Sequence, residues 1–114
     1  MEPFIYTLVT AADWRVAQTA GAYAGSADDR RDGFLHFSTA AQLRATAAKH
    51  RAGMANLWMI EADTAVLSDA LKWEAASTGI FPHLYAPLPL TAVRRAVAVP
   101  LDAAGHHVFP GDIP

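Results

Sequence analysis

The sequence predicts an α+β domain, and three observations point there. Segments of strand length, apolar or alternating, recur about six times along the chain; only two segments carry helical caps and spacing; and both helices come early, so the strand and helix alternation of a doubly wound sheet is missing. The 114 residues have the size of one domain, residues 1–114, and an apolar content of 53% supplies one packed core.

Phe4 to Val9 is β-branched and aromatic and reads as the first strand. Thr10 with Asp13 resembles a capping box, and Trp14, Ala17 and Gln18 follow at helical spacing until Gly21 stops the helix. Gly21 to Asp32 holds little to bury and is expected to be a surface loop. Gly33 to Phe37 resumes an apolar pattern too short for a helix and is expected to be a second strand ending at Ser38. Thr39 and Gln42 then form a capping box for a helix whose face carries Leu43, Thr46, Ala47 and His50, with Lys49 and Arg51 near its negative end and Gly53 closing it.

Leu57 to Ala62 is a further strand, and Asp63 to Ala70 a turn containing one helical turn. In Leu71 to Ala75, alternation sets Leu71, Trp73 and Ala75 on one face and Lys72 and Glu74 on the other. Phe81 to Ala86 is expected to be extended, since Pro82 suits the start or edge of a strand, and His83 and Tyr85 then share a face. Val93 to Val99 alternates as a long strand, and His106 to Phe109 is expected to pair back as a last short one.

Composition narrows the function. Nine Lys and Arg against eleven Asp and Glu give a formal charge of -2, which leaves no basic excess for duplex nucleic acid. The absence of cysteine excludes disulfides, thiolate nucleophiles and thiolate metal sites, and points to a reducing cytoplasm. Met1 to Phe4 lacks the look of a secretory signal and no apolar run reaches membrane-spanning length, so neither export nor insertion is expected.

Three places carry candidate chemistry. His36 puts a titratable ring in an apolar strand before a helix start, where Ser38, Thr39 and the first-turn amides form a cradle for a phosphate or carboxylate; the plain alternative is a core histidine beside a capping threonine. Trp73-Glu74 sets an acid one residue after a tryptophan, fit to act as a base or to hydrogen-bond a sugar hydroxyl unless solvent surrounds it. His83 and Tyr85 present an imidazole and a phenol side by side, suited to a stacked ligand or, alternatively, to core packing. His36, Glu74 and His83 are expected to share one pocket. They match a two-histidine, one-carboxylate metal pattern in kind, but no local spacing supports it and no metal is expected. Arg30, Arg31, Arg94 and Arg95 are expected in pairs with one member in solvent, Arg95 facing either a ligand phosphate or an ordinary ion pair.

Ile5-Tyr6, Trp14, Gly21-Ala22-Tyr23, Gly25-Ser26, Asp32 to Ser38, Gln42, Trp73-Glu74 and Phe81 to Tyr85 together resemble the bacterial family called domain of unknown function 952, over nearly the whole chain. That family is similar in fold to the ADP-ribosyltransferase group, which implies a split, bent, mixed or antiparallel sheet gripping NAD in a cleft. The resemblance implies NAD or ADP-ribose as ligand, with Glu74 and His36 catalytic: Glu74 hydrogen-bonding the nicotinamide ribose and His36 positioning the other ribose. Ser38, Thr39, Trp73, His83 and Tyr85 would then line the ligand. The alternative is a non-catalytic binding or protein-interaction module with structural histidines.

Overall fold

The computed structural model describes residues 2–113. β1 (Phe4–Thr10) pairs with β4 (Leu57–Asp63), and β4 with β8 (Val93–Val99), giving a three-stranded sheet of order β1-β4-β8. Both faces of this sheet are covered. Ile5 and Val9 pack with Ile60 and Ala62 into one core, while Tyr6 and Leu8 pack with Leu57 and Met59 into another. Burial on two sides explains why β1 and β4 read as almost unbroken apolar runs instead of clean alternations.

α1 (Ala11–Ala20) follows β1 directly and buries Trp14 and Ala17 against the first core. Thr10 Oγ1 accepts the Asp13 amide at 3.1 Å, and Gly21, at φ 84°, donates its N–H back to Ala17. Only this half of the expected Thr10–Asp13 box forms.

The expected surface loop at Gly21 to Asp32 is instead ordered. β2 (Ala22–Tyr23) pairs with β7 (Leu88–Pro89), and α2 (Ala27–Asp32) is a six-residue helix. Ser26 caps α2 through a full capping box: its hydroxyl accepts the Asp29 amide and its own amide donates to Asp29 Oδ2 at 2.8 Å. Charge density in this segment masked a cap signature, Ser26 with an acid three residues on. Gly25 is required by space: a Cβ there would meet Leu35 Cδ2 at 2.7 Å and Asp29 Cβ at 2.8 Å, and its φ of 107° is unfavourable for a side chain.

The second early helix is α3 (Ala40–His50), with both halves of the Thr39–Gln42 box in place. Its inner face is Leu43 and Ala47, packed on the second core; His50 is exposed. α4 (Thr64–Leu67) and the 3-10 turn Ser68–Ala70 occupy the segment expected to hold one helical turn.

The other three-stranded sheet has order β3-β6-β5. β3 is only Leu35–His36, shorter than expected: the Phe37 amide makes a last bond to the Pro82 carbonyl, and Ser38 then turns away to bridge to Tyr6 of β1. β5 (Leu71–Ala76) and β6 (Gly79–Leu84) form a hairpin. No last strand forms at His106 to Phe109; His107 makes one isolated bridge with Leu101. Among the described residues the chain thus has eight strands, three of them two residues long, and four helices, against about six and two expected, and every pairing is antiparallel. The fold is α+β with its strands divided between separate sheets. No described helix is long and apolar enough to cross a membrane.

Candidate functional site

β3, β5 and β6 bring His36, Glu74 and His83 together. His36 pairs with His83 across β3 and β6, and Lys72 with His83 and Glu74 with Phe81 across β5 and β6. Side chains directly opposite on an antiparallel pair share a face, so Glu74, Phe81 and His83 project from one side of the hairpin. Between the two imidazoles lies Phe34, whose ring stacks on His83 at 4.0 Å and sits 4.6 Å from His36 and 5.2 Å from Tyr85. The two imidazole rings are 5.7 Å apart, edge on.

Glu74 is fixed through one oxygen. Its Oε1 accepts the Tyr85 hydroxyl at 2.7 Å and lies 2.8 Å from His83 Nδ1, while no described residue hydrogen-bonds Oε2. The Tyr85 hydroxyl, and after it His83, hold the Glu74 carboxyl below the usual carboxylate range, and the same bond raises the Tyr85 phenol. Glu74 is therefore anionic at neutral pH. With its side chain 37% exposed, it presents a charged oxygen that can accept hydrogen bonds from a bound molecule.

His36 is held differently. Nδ1 lies 2.6 Å from Asp29 Oδ1 and Nε2 lies 3.0 Å from Asp32 Oδ2, so both ring nitrogens face carboxylates. The hydrogen bond to Asp29 raises the imidazole above its ordinary value; burial opposes this, and the charges of Asp29 and Asp32 add to the rise. Asp29 is 6% exposed; burial disfavours its charge most, but His36 and the amides of Ser26 and His36 together outweigh that and leave it below the ordinary value. Both carboxylates therefore favour the protonated ring.

The other predicted residues fall into distinct places. Ser38 is buried and its hydroxyl donates to Thr46, lining the cavity next to His36. Thr39 Oγ1 is committed to the Gln42 amide, so it caps α3 instead of forming a ligand cradle. Trp73 projects from the opposite face of β5, 42% exposed, outside the ring cluster. Tyr85 is exposed, not packed in the core, and shares a face with His83 as alternation predicted. Arg94 and Arg95 both reach Glu61, which is 1% exposed, and Arg95 also pairs with Asp112. Arg95 thus takes the ion-pair alternative. Arg31 is exposed and bonds Asp28 and Asp32, while Arg30 donates to the Gly25 carbonyl.

A cavity of about 580 Å³ opens beside this cluster. His36, Ser38, Thr46 and Phe81 line it, together with the acids Asp29 and Asp32 and the cations Lys49 and Arg51. Glu74, His83 and Tyr85 are not among its lining residues, so His36 and Phe81 are the link between cavity and ring cluster. Phe34, Asp29 and Asp32 were missed as site residues; the capping signature at Ser26 and Asp29 was the one available signal for the acids. Among the described residues no group of three or more His, Asp or Glu side chains is arranged to hold a metal ion.

Comparison with known proteins agrees with this architecture. No curated protein matches the chain. The crystal structure of protein CC0527 from Caulobacter crescentus is 42% identical, with a TM-score of 0.88, covering 92% of this chain and 93% of that one. The solution NMR structure of the same Caulobacter protein is also 42% identical, with a TM-score of 0.81 over 91% of this chain and 90% of that one. The family model described as protein of unknown function (DUF952) matches residues 8–96, and the chain belongs to that family.

Proposed function

We propose that the chain binds a small polar, nucleotide-like molecule of the ADP-ribose or NAD type at the junction of the ring cluster and the cavity. The observation that carries this reading is the half-committed Glu74 carboxylate: Oε1 is anchored by Tyr85 and His83, and Oε2 is left for a ligand hydroxyl. An anchored, ionised acceptor beside aromatic rings suits a ribose diol attached to a flat base. The cavity volume of about 580 Å³ lies in the range of small-molecule sites, and Lys49 and Arg51 in its lining supply positive charge for phosphates.

Glu74 also has the electrostatics for a glycosidic cleavage. As the bond from the ribose anomeric carbon to nicotinamide breaks, the bonding pair leaves with nicotinamide and the carboxylate favours the positive charge left on the sugar; an acceptor oxygen then bonds that carbon and releases a proton. His36, with Nδ1 on Asp29 and Nε2 facing Asp32, helps to shape the cavity wall in this scheme. A chain without cysteine suits a reducing cytoplasm, where such nucleotides are at hand.

Titration calorimetry with ADP-ribose and NAD tests the reading. Wild type is expected to saturate by about millimolar ligand, and Glu74→Gln to bind about 10- to 100-fold more weakly through loss of a hydrogen bond to a charged acceptor. No saturation with either ligand, or equal affinity in the variant, overturns it.

A further inference from the structure

We propose that two copies of this chain join through β5, edge to edge and antiparallel, with Trp73 facing Trp73 at the two-fold axis. Among the described residues β5 pairs only with β6, and it is the outer strand of the β3-β6-β5 sheet. The parity of its backbone can be worked out. The Phe37 amide donates to the Pro82 carbonyl, so Pro82 turns its backbone toward the β3 side and away from β5. In an antiparallel ladder the amide and carbonyl of one residue point the same way. Trp73, directly opposite Pro82, therefore directs its N–H and C=O to the open edge, and by alternation Leu71 and Ala75 do the same. Lys72 and Glu74 spend theirs on β6.

Only the outward residues can make ladder bonds to a second copy, which restricts how two β5 strands meet. With Trp73 opposite Trp73, Leu71 faces Ala75 and all three outward residues of each strand pair. Lys72 of one copy then stands opposite Glu74 of the other, twice, as a non-hydrogen-bonded pair with Cα atoms about 4.5 Å apart. Sliding by two residues one way sets Lys72 against Lys72, and sliding the other way sets Glu74 against Glu74; both registers juxtapose like charges. One register is thus self-complementary and its neighbours are penalised, as a two-fold contact requires.

Exposed apolar surface lies on the same strands. Trp73 and Ile80, 42% and 60% exposed, share the face opposite Glu74, with Ala75 and Ile80 directly paired. In the dimer the two tryptophans meet on that face. On the other face, Lys72 of the second copy stands beside the Glu74 carboxylate, so each copy contributes a charge at the rim of the other's candidate site. A lysine on an edge strand more often shields it from pairing; here the lysine has a matching acid two residues along.

Sedimentation velocity on the full chain tests the dimer without reference to any ligand. At about 100 µM, wild type is expected at twice the 12.2 kDa of one chain. Lys72→Glu, a substitution at an exposed position, is expected to weaken association at least tenfold, and Lys72→Glu with Glu74→Lys to restore it. A monomeric wild type overturns the proposal and leaves Lys72 as a shield. So do a Lys72→Glu variant that associates as wild type does, and a double variant that fails to re-associate.

Discussion

His36 shows how much one acidic neighbour changes a histidine. From its sequence position it reads equally as part of an anion cradle before a helix start or as a hydrogen-bonded core ring. Asp29, anchored by Ser26 and facing Nδ1, with Asp32 at Nε2, favours its protonated form. The consequence for stability has a definite sign. His36 is raised in the folded state, so its contribution is complete below the ordinary imidazole value of 6.5 and is lost as pH climbs through the raised value. Asp29 is lowered, so its contribution is present above the ordinary 3.8 and lost as pH falls through the lowered value. Urea midpoints measured from about pH 6 to about pH 9 should therefore fall in wild type and stay flatter in His36→Asn. Glu74 was legible as a candidate from its place after Trp73, but its anchoring was not, because Tyr85 lies 11 positions away and reaches it only across the hairpin.

At the scale of elements, local chemistry accounts for what could be read. The Thr39 and Gln42 capping box marked the start of α3, and Gly21 marked the stop of α1, because each satisfies helix-end groups that nearby sequence alone can reach. α2 escaped notice because it is six residues long and nearly all polar, with only Asp29 buried. Its stability comes from the cap and from His36, neither visible as an apolar pattern. The short β2, β3 and β7 strands carry too few residues for a period-two pattern to register. Gly25 ties this region together, and Gly25→Ala should cost about 1–3 kcal/mol from backbone strain alone, with added loss where the methyl presses on Asp29. Chemical denaturation measures that cost, and a sharper loss at pH 6 than at pH 9 would mark damage to the Asp29–His36 contact, at about those values. Leu43, 1% exposed on the inner face of α3, should cost about 2–5 kcal/mol as Leu43→Ala.

Across the whole molecule, the three distant segments carrying His36, Glu74 and His83 converge because β6 pairs with β3 on one side and β5 on the other. The sequence marked each segment as extended but carried no sign of this strand order. The remaining charge pattern settles elsewhere: Glu61 gathers Tyr6, Arg94 and Arg95 on the β1-β4-β8 sheet, where burial first and the Glu61 hydrogen bond second push the Tyr6 phenol up to about 12. That network is remote in role from the ring cluster, and it leaves His36, Phe34, His83, Tyr85 and Glu74 as the constellation for a ligand. NMR observation of the imidazole ring protons during an ADP-ribose titration tests this most directly. The resonances of His36 and His83 are expected to move together, saturating along one binding curve. Shifts confined to His106 and His107, or no shift at about millimolar ADP-ribose, would contradict the assignment.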